Sequence, residues 1–174
     1  MISFAEKIAA LEAEGYANAP AMAKLAHDIV VSTKLDIGVH VHRQMAQKPM
    51  RFAIVLDESS ATLPANSKEQ IFAEKLKSLL RLGARSTRQK DVFDLCYLAD
   101  KVDRVTLRRF IALLVFNDES MRENDFASIR SRVHRIFGSQ SFIQRLSGAG
   151  ANWIKEPPHK VRKTILSFLE TLEN

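Results

Sequence analysis

The sequence predicts an α+β protein that is mostly helical, with a small β-hairpin followed by a helical bundle. Apolar residues recur at helical spacing over most of the chain, whereas the alternation typical of strands occurs only between residues 34 and 56. The chain has 174 residues, 46% of them hydrophobic, which is enough to close a core without disulfide bonds. We place a boundary after residue 66, so that leading helices and the sheet occupy 1–66 and a helical domain occupies 67–174.

The first region is predicted to contain two helices and two paired strands. Ser3 and Glu6 have the spacing of a capping box, and Gly15 ends the helix that they begin. Asn18 and Pro20 begin the second helix. The predicted elements are helices over 3–14 and 18–31, strands over Lys34–Val41 and Arg51–Leu56, and a polar loop over Asp57–Asn66 that contains Pro64.

The second region is predicted to consist of helices. Ser67 and Gln70 form another capping box, and Gly83 ends the helix that runs to Leu82. Pro158 is placed in the first turn of the last helix, where proline is tolerated. The other helices are predicted near 87–101, Val105–Phe116, Glu123–Phe137, Ser139–Leu146 and Pro158–Leu172.

Composition excludes several classes of protein. A single cysteine, Cys96, excludes an internal disulfide framework and a cysteine-based zinc ribbon. It lies in an apolar run and is expected to be a small buried residue rather than a nucleophile. No apolar run approaches the roughly 20 residues of a membrane-spanning helix, and the charged first fourteen residues do not match a signal peptide. We therefore expect a cytoplasmic protein that is not embedded in a membrane.

The net charge of +6 is unevenly distributed. Residues 1–66 carry a net charge of −1 and residues 67–174 a net charge of +7, so a polyanionic partner is expected to bind the second region. An ordinary basic surface explains the same excess equally well. The side chains that would form a groove for RNA or nucleotide phosphates, if they share a face, are Arg81, Arg85, Arg88, Lys90, Arg104, Arg108, Arg109, Arg130, Arg132 and Arg135.

One face of the first predicted strand carries Asp36, His40 and His42, because successive side chains of a strand alternate between its faces. A carboxylate and two imidazoles can hold a divalent metal, which would suit a metal-dependent nuclease. Polar alternation is also the ordinary pattern of a half-exposed strand. Both interpretations stay open on the residues alone.

A second group of candidate residues spans two helices. Asp91 and Asp94 are three residues apart and share a helical face, and Lys90 can pair with Asp94 across one turn. Lys75 and Arg88 offer positive charge to a phosphate. Ion pairing at the surface is the simpler explanation of the same spacing.

Three segments together resemble the AbiEii/AbiGii toxin family of type IV toxin–antitoxin and abortive-infection systems. They are residues 33–40 (TKLDIGVH), residues 66–76 (NSKEQIFAEKL) and residues 86–94 (STRQKDVFD). The ordered pair of an AEKL helix and an RxKDxxD helix is the most specific part of the resemblance, which is strong over residues 33–100.

The resemblance implies a fold similar to polymerase-β-like nucleotidyltransferases, followed by a helical region. It implies Mg²⁺-dependent transfer of a nucleotidyl group from a nucleoside triphosphate to an acceptor, which is tRNA for some members, and a cognate antitoxin as partner. Asp36 matches a metal-binding carboxylate. Asp36, Lys75, Asp91 and Asp94 are the catalytic residues that it implies, and phosphate is expected to bind Lys75, Arg88 and Lys90.

The chain departs from the family pattern ahead of Asp36. The family has a Gly-Gly or Gly-Ser turn and an Asp-x-Asp strand there, and nothing between Met1 and Lys34 supplies either. A predicted helix and strand also meet abruptly between Val31 and Thr33. We therefore expect a truncated sheet, of which one hairpin remains, and impaired catalysis; the alternative is a non-catalytic RNA- or antitoxin-binding module. So small a sheet also favours a homo-oligomer.

Overall fold

The computed structural model describes residues 4–20, 47–53, 60–148, 150 and 152–173. The chain divides into two compact units, Met1–Val41 and His42–Asn174, each of which is described by itself. Most of the predicted second helix and the whole predicted strand Lys34–Val41 lie outside the described residues, as do Asp36, His40 and His42. The metal site suggested for that strand therefore stays a prediction.

The first unit contains helix α1, Phe4–Ala13. This helix ends in a Schellman motif, in which the Tyr16 N–H donates to the Leu11 carbonyl at 3.1 Å and the Gly15 N–H donates to the Glu12 carbonyl at 3.0 Å. Gly15 has a φ of +86°, a left-handed conformation that glycine adopts without steric cost. The prediction that Gly15 ends the first helix is confirmed.

In the second unit the chain forms an antiparallel hairpin, in which β1 (Lys48–Ala53) pairs with β2 (Ser60–Ala65). The prediction that Asp57–Asn66 is a polar loop is therefore wrong for β2. Pro64 suggested a loop, but it lies opposite Pro49, and alternate pairs of an antiparallel ladder need no cross-strand hydrogen bonds. Strand pairing thus overrides the local turn propensity of this segment.

Helices make up the rest of the regular structure that is described in the second unit. Each helix predicted for this region is confirmed, with ends that agree within three residues. None of the helices in the described ranges is long and apolar enough to cross a membrane. Their bounds are α2 (Lys68–Leu82), a 3₁₀ turn (Gly83–Arg85), α3 (Gln89–Leu98), α4 (Arg104–Ile111) continued by a π-helical segment (Ala112–Phe116), α5 (Phe126–Phe137), α6 (Gln140–Ser147) and α7 (Pro158–Glu170).

Helix α2 lies at the centre of the bundle, where it contacts α3, α4 and α5. Phe72, Leu76 and Leu80 recur every fourth residue on its buried face, so they form one apolar stripe toward the core. Helix α7 packs on α3 and α5, and its Phe168 meets Phe72 edge to face with ring centroids 5.3 Å apart. The core thus lies between the apolar face of α2 and the helices that pack against it.

Side-chain caps fix where three of these helices begin, α2, α4 and α5. The Ser67 hydroxyl accepts a hydrogen bond from the Gln70 N–H at 3.1 Å, which confirms half of the predicted capping box. The Gln70 side chain donates to Glu74 instead of accepting from Ser67, so the other half does not form. Asp125 and Ser128 form a complete capping box at the start of α5, a box that the sequence reasoning missed.

Gly83 sets the turn that leads from α2 toward α3. Its φ of +59° with a ψ of −146° is a conformation almost confined to glycine, and a Cβ there would lie 3.0 Å from the Arg132 guanidinium. We expect Gly83→Ala to lower the free energy of unfolding by about 2 kcal/mol, measured by urea denaturation. Gly148→Ala, at a φ of −85° and with no atom closer than 3.6 Å, is the matched control and should cost nothing measurable. Equal stability of the two variants would contradict this account.

Candidate functional site

The structure brings Lys75, Asp91 and Asp94 together where α2 contacts α3. The Lys75 ammonium lies 2.6 Å from Asp91 Oδ1 and 2.8 Å from Asp94 Oδ2, so one amine bridges two carboxylates. The three side chains are largely buried, with exposed fractions of 21%, 17% and 12%. The grouping made from the sequence is therefore a real contact, and the catalytic role of these residues stays a prediction.

Local structure explains why the two aspartates meet the lysine. The 3₁₀ turn over Gly83–Arg85 separates α2 from α3, and the two helices pack side by side. Asp91 and Asp94 are three residues apart on α3, so they project from the same side of that helix. Val92 and Phe93, which lie between them, are fully buried and hold α3 against the core.

The pKa values of the lysine and of one aspartate move apart. Burial alone would lower the pKa of Lys75, but hydrogen bonds and charge interactions with Asp91 and Asp94 outweigh burial and raise this pKa. Burial alone would raise the pKa of Asp94, but hydrogen bonds from Lys75 and Trp153 and the charges of Lys75 and Lys90 outweigh burial and lower this pKa. Lys75 and Asp94 are therefore both charged at neutral pH.

Two exposed cations flank the buried cluster. Lys90 Nζ lies 3.5 Å from Asp94 Oδ2, which confirms the predicted pair across one turn, and an Arg88 guanidinium nitrogen lies 3.9 Å from Asp91 Oδ2. Their side chains are 69% and 66% exposed, so water and salt weaken both pairs. With Lys75 shared between the aspartates, the surplus positive charge is carried by Arg88 and Lys90. We call these five residues the lysine–aspartate site.

Two clefts adjoin the lysine–aspartate site. One of about 170 Å³ lies against its buried part, and one of about 450 Å³ is lined by Lys77, Arg81 and Arg88. Asp118 pairs with Lys77, so the larger cleft presents mainly the guanidinium groups of Arg81 and Arg88 to a ligand. Glu74 lines both clefts and accepts a hydrogen bond from a neighbouring glutamine at 3.0 Å. The larger cleft therefore offers an anion the guanidinium groups of Arg81 and Arg88 beside one acid, Glu74.

Trp153 belongs to this neighbourhood, and the sequence reasoning did not place it there. Its indole N–H donates to Asp94 Oδ1 at 2.8 Å from the loop between α6 and α7. In that loop the Asn152 side-chain amide donates to the Glu156 carbonyl at 3.0 Å, which shapes the turn that presents the indole. Asp94 and Trp153 are 59 residues apart, so no spacing rule connects them. The single signal was that the chain has one tryptophan, whose N–H needs an acceptor when partly buried.

The described side chains do not fit a Mg²⁺ site. Mg²⁺ binds six oxygen ligands in octahedral geometry, with one or two carboxylates among them, and needs the space between those carboxylates to be free. Between Asp91 and Asp94 the Lys75 ammonium already occupies the position that a metal ion would take. Across the described ranges, no group of three His, Cys, Asp or Glu side chains could hold a metal ion. Asp36, the metal ligand implied by the resemblance, lies outside those ranges.

The basic residues named from the sequence do not form a single free groove. Arg108 donates to the Leu172 carbonyl at 3.1 Å, and Arg130 lies 2.7 Å from a Glu173 carboxylate oxygen. These two arginines tie α4 and α5 to the chain that follows α7, so they hold the bundle together. Arg104 lines a third cleft, which does not contain the cations of the lysine–aspartate site.

Cys96 lies half-buried on α3. Burial raises the pKa of its thiol, and this effect exceeds the lowering by a hydrogen bond with Thr164. The thiol is therefore protonated at neutral pH, as expected of a small apolar residue rather than a nucleophile.

Comparison of the sequence with family models assigns the chain to a family. A search of curated proteins and a search of solved structures each give no significant match. The family model described as nucleotidyl transferase AbiEii toxin, type IV TA system, matches residues 4–162, which include the whole lysine–aspartate site. This match covers most of the chain and agrees with the resemblance carried by the AEKL and RxKDxxD helices. The chain therefore belongs to the AbiEii family of nucleotidyl transferase toxins of type IV toxin–antitoxin systems.

Proposed function

We propose that this chain is a nucleotidyltransferase-like toxin protein that binds RNA phosphates through exposed cations and whose own nucleotidyl transfer is impaired. Its family supports a type IV toxin and implies a cognate antitoxin as partner. The observation that carries the binding part is that Arg81 and Arg88 line one cleft and that Lys90 lies exposed beside Asp94. In this proposal the RNA is the acceptor of the nucleotidyl group, as tRNA is for some members of the family. In family members with all their catalytic carboxylates, a nucleoside triphosphate with Mg²⁺ is the donor.

The contacts suggest different roles for the buried lysine and the exposed cations of the site. Asp91 and Asp94 take two of the three N–H groups of the Lys75 ammonium, so the lysine has at most one left for a phosphate. Arg88 and Lys90 are more than half exposed and hold their acids at 3.5–3.9 Å, so an incoming phosphate can replace those weak pairs. We therefore assign phosphate contact to Arg88 and Lys90 and assign to Lys75 the role of organising the site.

The impairment rests on the number of carboxylates in the sequence. Two-metal transfer uses several carboxylates on neighbouring strands to hold the ions that align the phosphates. Asp36 matches one of them, and residues 1–34 contain no Asp-x-Asp pair to supply the others. Asp91 and Asp94 are poor substitutes, because Lys75 already bridges them.

The transfer part is tested by incubating the protein with Mg²⁺, labelled nucleoside triphosphates and total RNA. We expect no label in RNA above that of a protein-free control, because one carboxylate cannot replace a set of three. Robust transfer that Asp36→Ala abolishes would overturn the proposed impairment and establish an active enzyme.

The binding part is tested by titrating labelled tRNA between about 50 and 200 mM salt. The affinity should fall steeply with salt, and Arg88→Gln should reduce the slope of log affinity against log salt by about 1. Lys163→Gln changes an exposed lysine of α7 outside both clefts and is the charge-matched control. It should leave the slope of log affinity against log salt unchanged. Absence of binding at the lowest salt would reject RNA as the ligand.

The same exposed cations favour a second function, a non-catalytic module that binds RNA or the antitoxin. Equilibrium dialysis with labelled ATP and Mg²⁺ separates the two. A retained nucleotide site should bind ATP with an affinity that Arg88→Gln weakens, whereas a pure binding module should show no ATP binding sensitive to this variant. The proposed homo-oligomer is tested separately by sedimentation equilibrium.

A further inference from the structure

A cleft of about 670 Å³ lies between α3, α7 and the loop that carries Trp153. It contains neither Lys75 nor Arg88 and is therefore distinct from the clefts of the lysine–aspartate site. Tyr97, Trp153 and Phe168 give it an aromatic lining, and the polar groups of Thr164, Ser167 and Thr171 also face it. This combination of an apolar wall with a few polar groups is typical of a small-molecule site.

The two exposed aromatic rings of the cleft form a ready surface for a flat ligand. The Tyr97 and Trp153 rings lie with centroids 4.8 Å apart at an angle of 59°, so they support each other. Both rings stay open to a ligand, because Tyr97 is 44% exposed and Trp153 is 47% exposed. An aromatic ring that stacks on such a surface gains both apolar contact and π stacking.

One cation on the rim of the cleft has no acid partner among the described residues. Lys101 is paired with Asp100 at 2.8 Å and lies 4.1 Å from the centre of the Tyr97 ring. The acid on the other side, Glu156, is paired with a lysine of α7 at 2.7 Å. Arg104 also lines the cleft and has no acid partner within the part of the chain that the structure describes. The rim therefore favours a ligand that carries a negative charge.

We propose that this cleft binds a nucleotide monophosphate unit, with its base on the rings of Tyr97 and Trp153 and its phosphate on the Arg104 guanidinium. The base supplies the flat ring that the aromatic wall can stack, and a phosphate matches the planar fork of an arginine. A free nucleotide and the end of a single-stranded RNA share this chemistry. The site lies beyond the proposed function, since it uses none of the cations assigned to RNA phosphates there.

The cleft communicates with the lysine–aspartate site through a single side chain. Trp153 lines the cleft with its ring and donates its indole N–H to Asp94 at 2.8 Å. A base that stacks on the indole therefore contacts the group that orients Asp94. Occupancy of the cleft is expected to steady this hydrogen bond and with it the position of the aspartate.

The test uses the tryptophan fluorescence of the intact protein, because its one tryptophan, Trp153, lines this cleft. Since the indole also contacts the lysine–aspartate site, Arg88→Gln serves to show whether a change in emission arises at that site instead. Titration with AMP should give saturable quenching. Arg104→Gln should weaken AMP binding about tenfold, since it removes a charge-assisted hydrogen bond. Tyr97→Ala should weaken it by a similar factor through lost stacking. Arg109→Gln, an exposed arginine of the same helix that does not line the cleft, is the matched control and should leave the affinity unchanged.

Three further ligands make the outcome decisive. Adenosine should bind more weakly than AMP and be insensitive to Arg104→Gln, and inorganic phosphate alone should not quench. If the trinucleotide ApApA binds more tightly than AMP, the occupant is an RNA end; if it binds equally or less well, the occupant is a free nucleotide. No quenching by AMP, or quenching that Arg104→Gln and Tyr97→Ala both leave unchanged, would overturn the proposal. Arg88→Gln should not affect this titration, so its result is separate from that of the tRNA experiment.

Discussion

Lys75→Met is expected to lower the free energy of unfolding by about 3 kcal/mol at neutral pH, because it removes the amine that two carboxylates share. Asp91 and Asp94 would then face each other with exposed fractions of only 17% and 12% and no cation between them. Arg88 and Lys90 stay nearby and water reaches part of the site, which keeps the loss at the lower end for a buried pair. Urea denaturation at pH 7 measures the change.

The loss caused by Lys75→Met should also depend on pH in a defined direction. The pKa of Asp94 is lowered from 3.8 in the folded protein, so the stability it contributes is present above about pH 4 and is lost as the pH falls through the lowered value. The variant and the wild type should therefore converge in acid. A difference in stability that is the same at about pH 7 and about pH 2.5 would contradict the electrostatic origin.

Lys77→Met is the matched control for this prediction. Lys77 lies on the same helix but pairs with one carboxylate, that of Asp118, and both side chains are about a quarter exposed. Water can solvate the single charge that is left, so the loss should be clearly smaller. The double variant Lys75→Met with Asp94→Asn should recover part of the stability, because only one charge is then stranded. If Lys75→Met proves no more harmful than Lys77→Met, the shared amine does not hold the site together.

Phe72→Ala is expected to cost about 4 kcal/mol of unfolding free energy, the largest effect of a single core substitution that we predict. Phe72 is fully buried on the apolar face of α2, and its ring packs edge to face on Phe168. Truncation removes the apolar contacts and leaves a cavity that rigid helices on several sides cannot close. Guanidinium denaturation monitored by helical circular dichroism measures the loss.

Two further variants make the core prediction specific. Phe72→Leu keeps most of the volume and should cost less than half as much as the alanine variant. Val105→Ala removes methyl groups from a side chain that is 61% exposed on α4, so it should change stability by less than about 0.5 kcal/mol. A loss for Phe72→Ala no larger than that for Val105→Ala would show that α2 is not the centre of the core.

The helices could be predicted from the sequence because their signals are local. Ser67 and Gly83 bracket α2, and the apolar stripe between them recurs at the helical period. The hairpin was predicted less well, because strand pairing depends on residues distant in sequence. Pro64 indicates a turn when its neighbours alone are considered, and only the pairing of β2 with β1 shows that the ladder accommodates it.

The candidate site divides in the same way. The contact of Lys90 with Asp94 could be predicted from helical spacing, since both lie on one turn of α3. The bridging of Asp91 and Asp94 by Lys75 needed the packing of α2 on α3, and the hydrogen bond from Trp153 needed the loop after α6 to fold back on α3. No periodicity in the sequence connects residues that are 16 or 59 positions apart.

The amino-acid order alone determined the helical class, the family resemblance and the excess of positive charge after residue 66, because each depends on residue identity or on spacing within a few turns. Only the tertiary structure decided which charges are free. It joined Lys75 to two carboxylates, committed Arg108 and Arg130 to holding the bundle, and left Arg88, Lys90 and Arg104 toward solvent. The reason is that a charge is neutralised by whatever acid the packing of distant helices brings within about 4 Å, which composition does not specify.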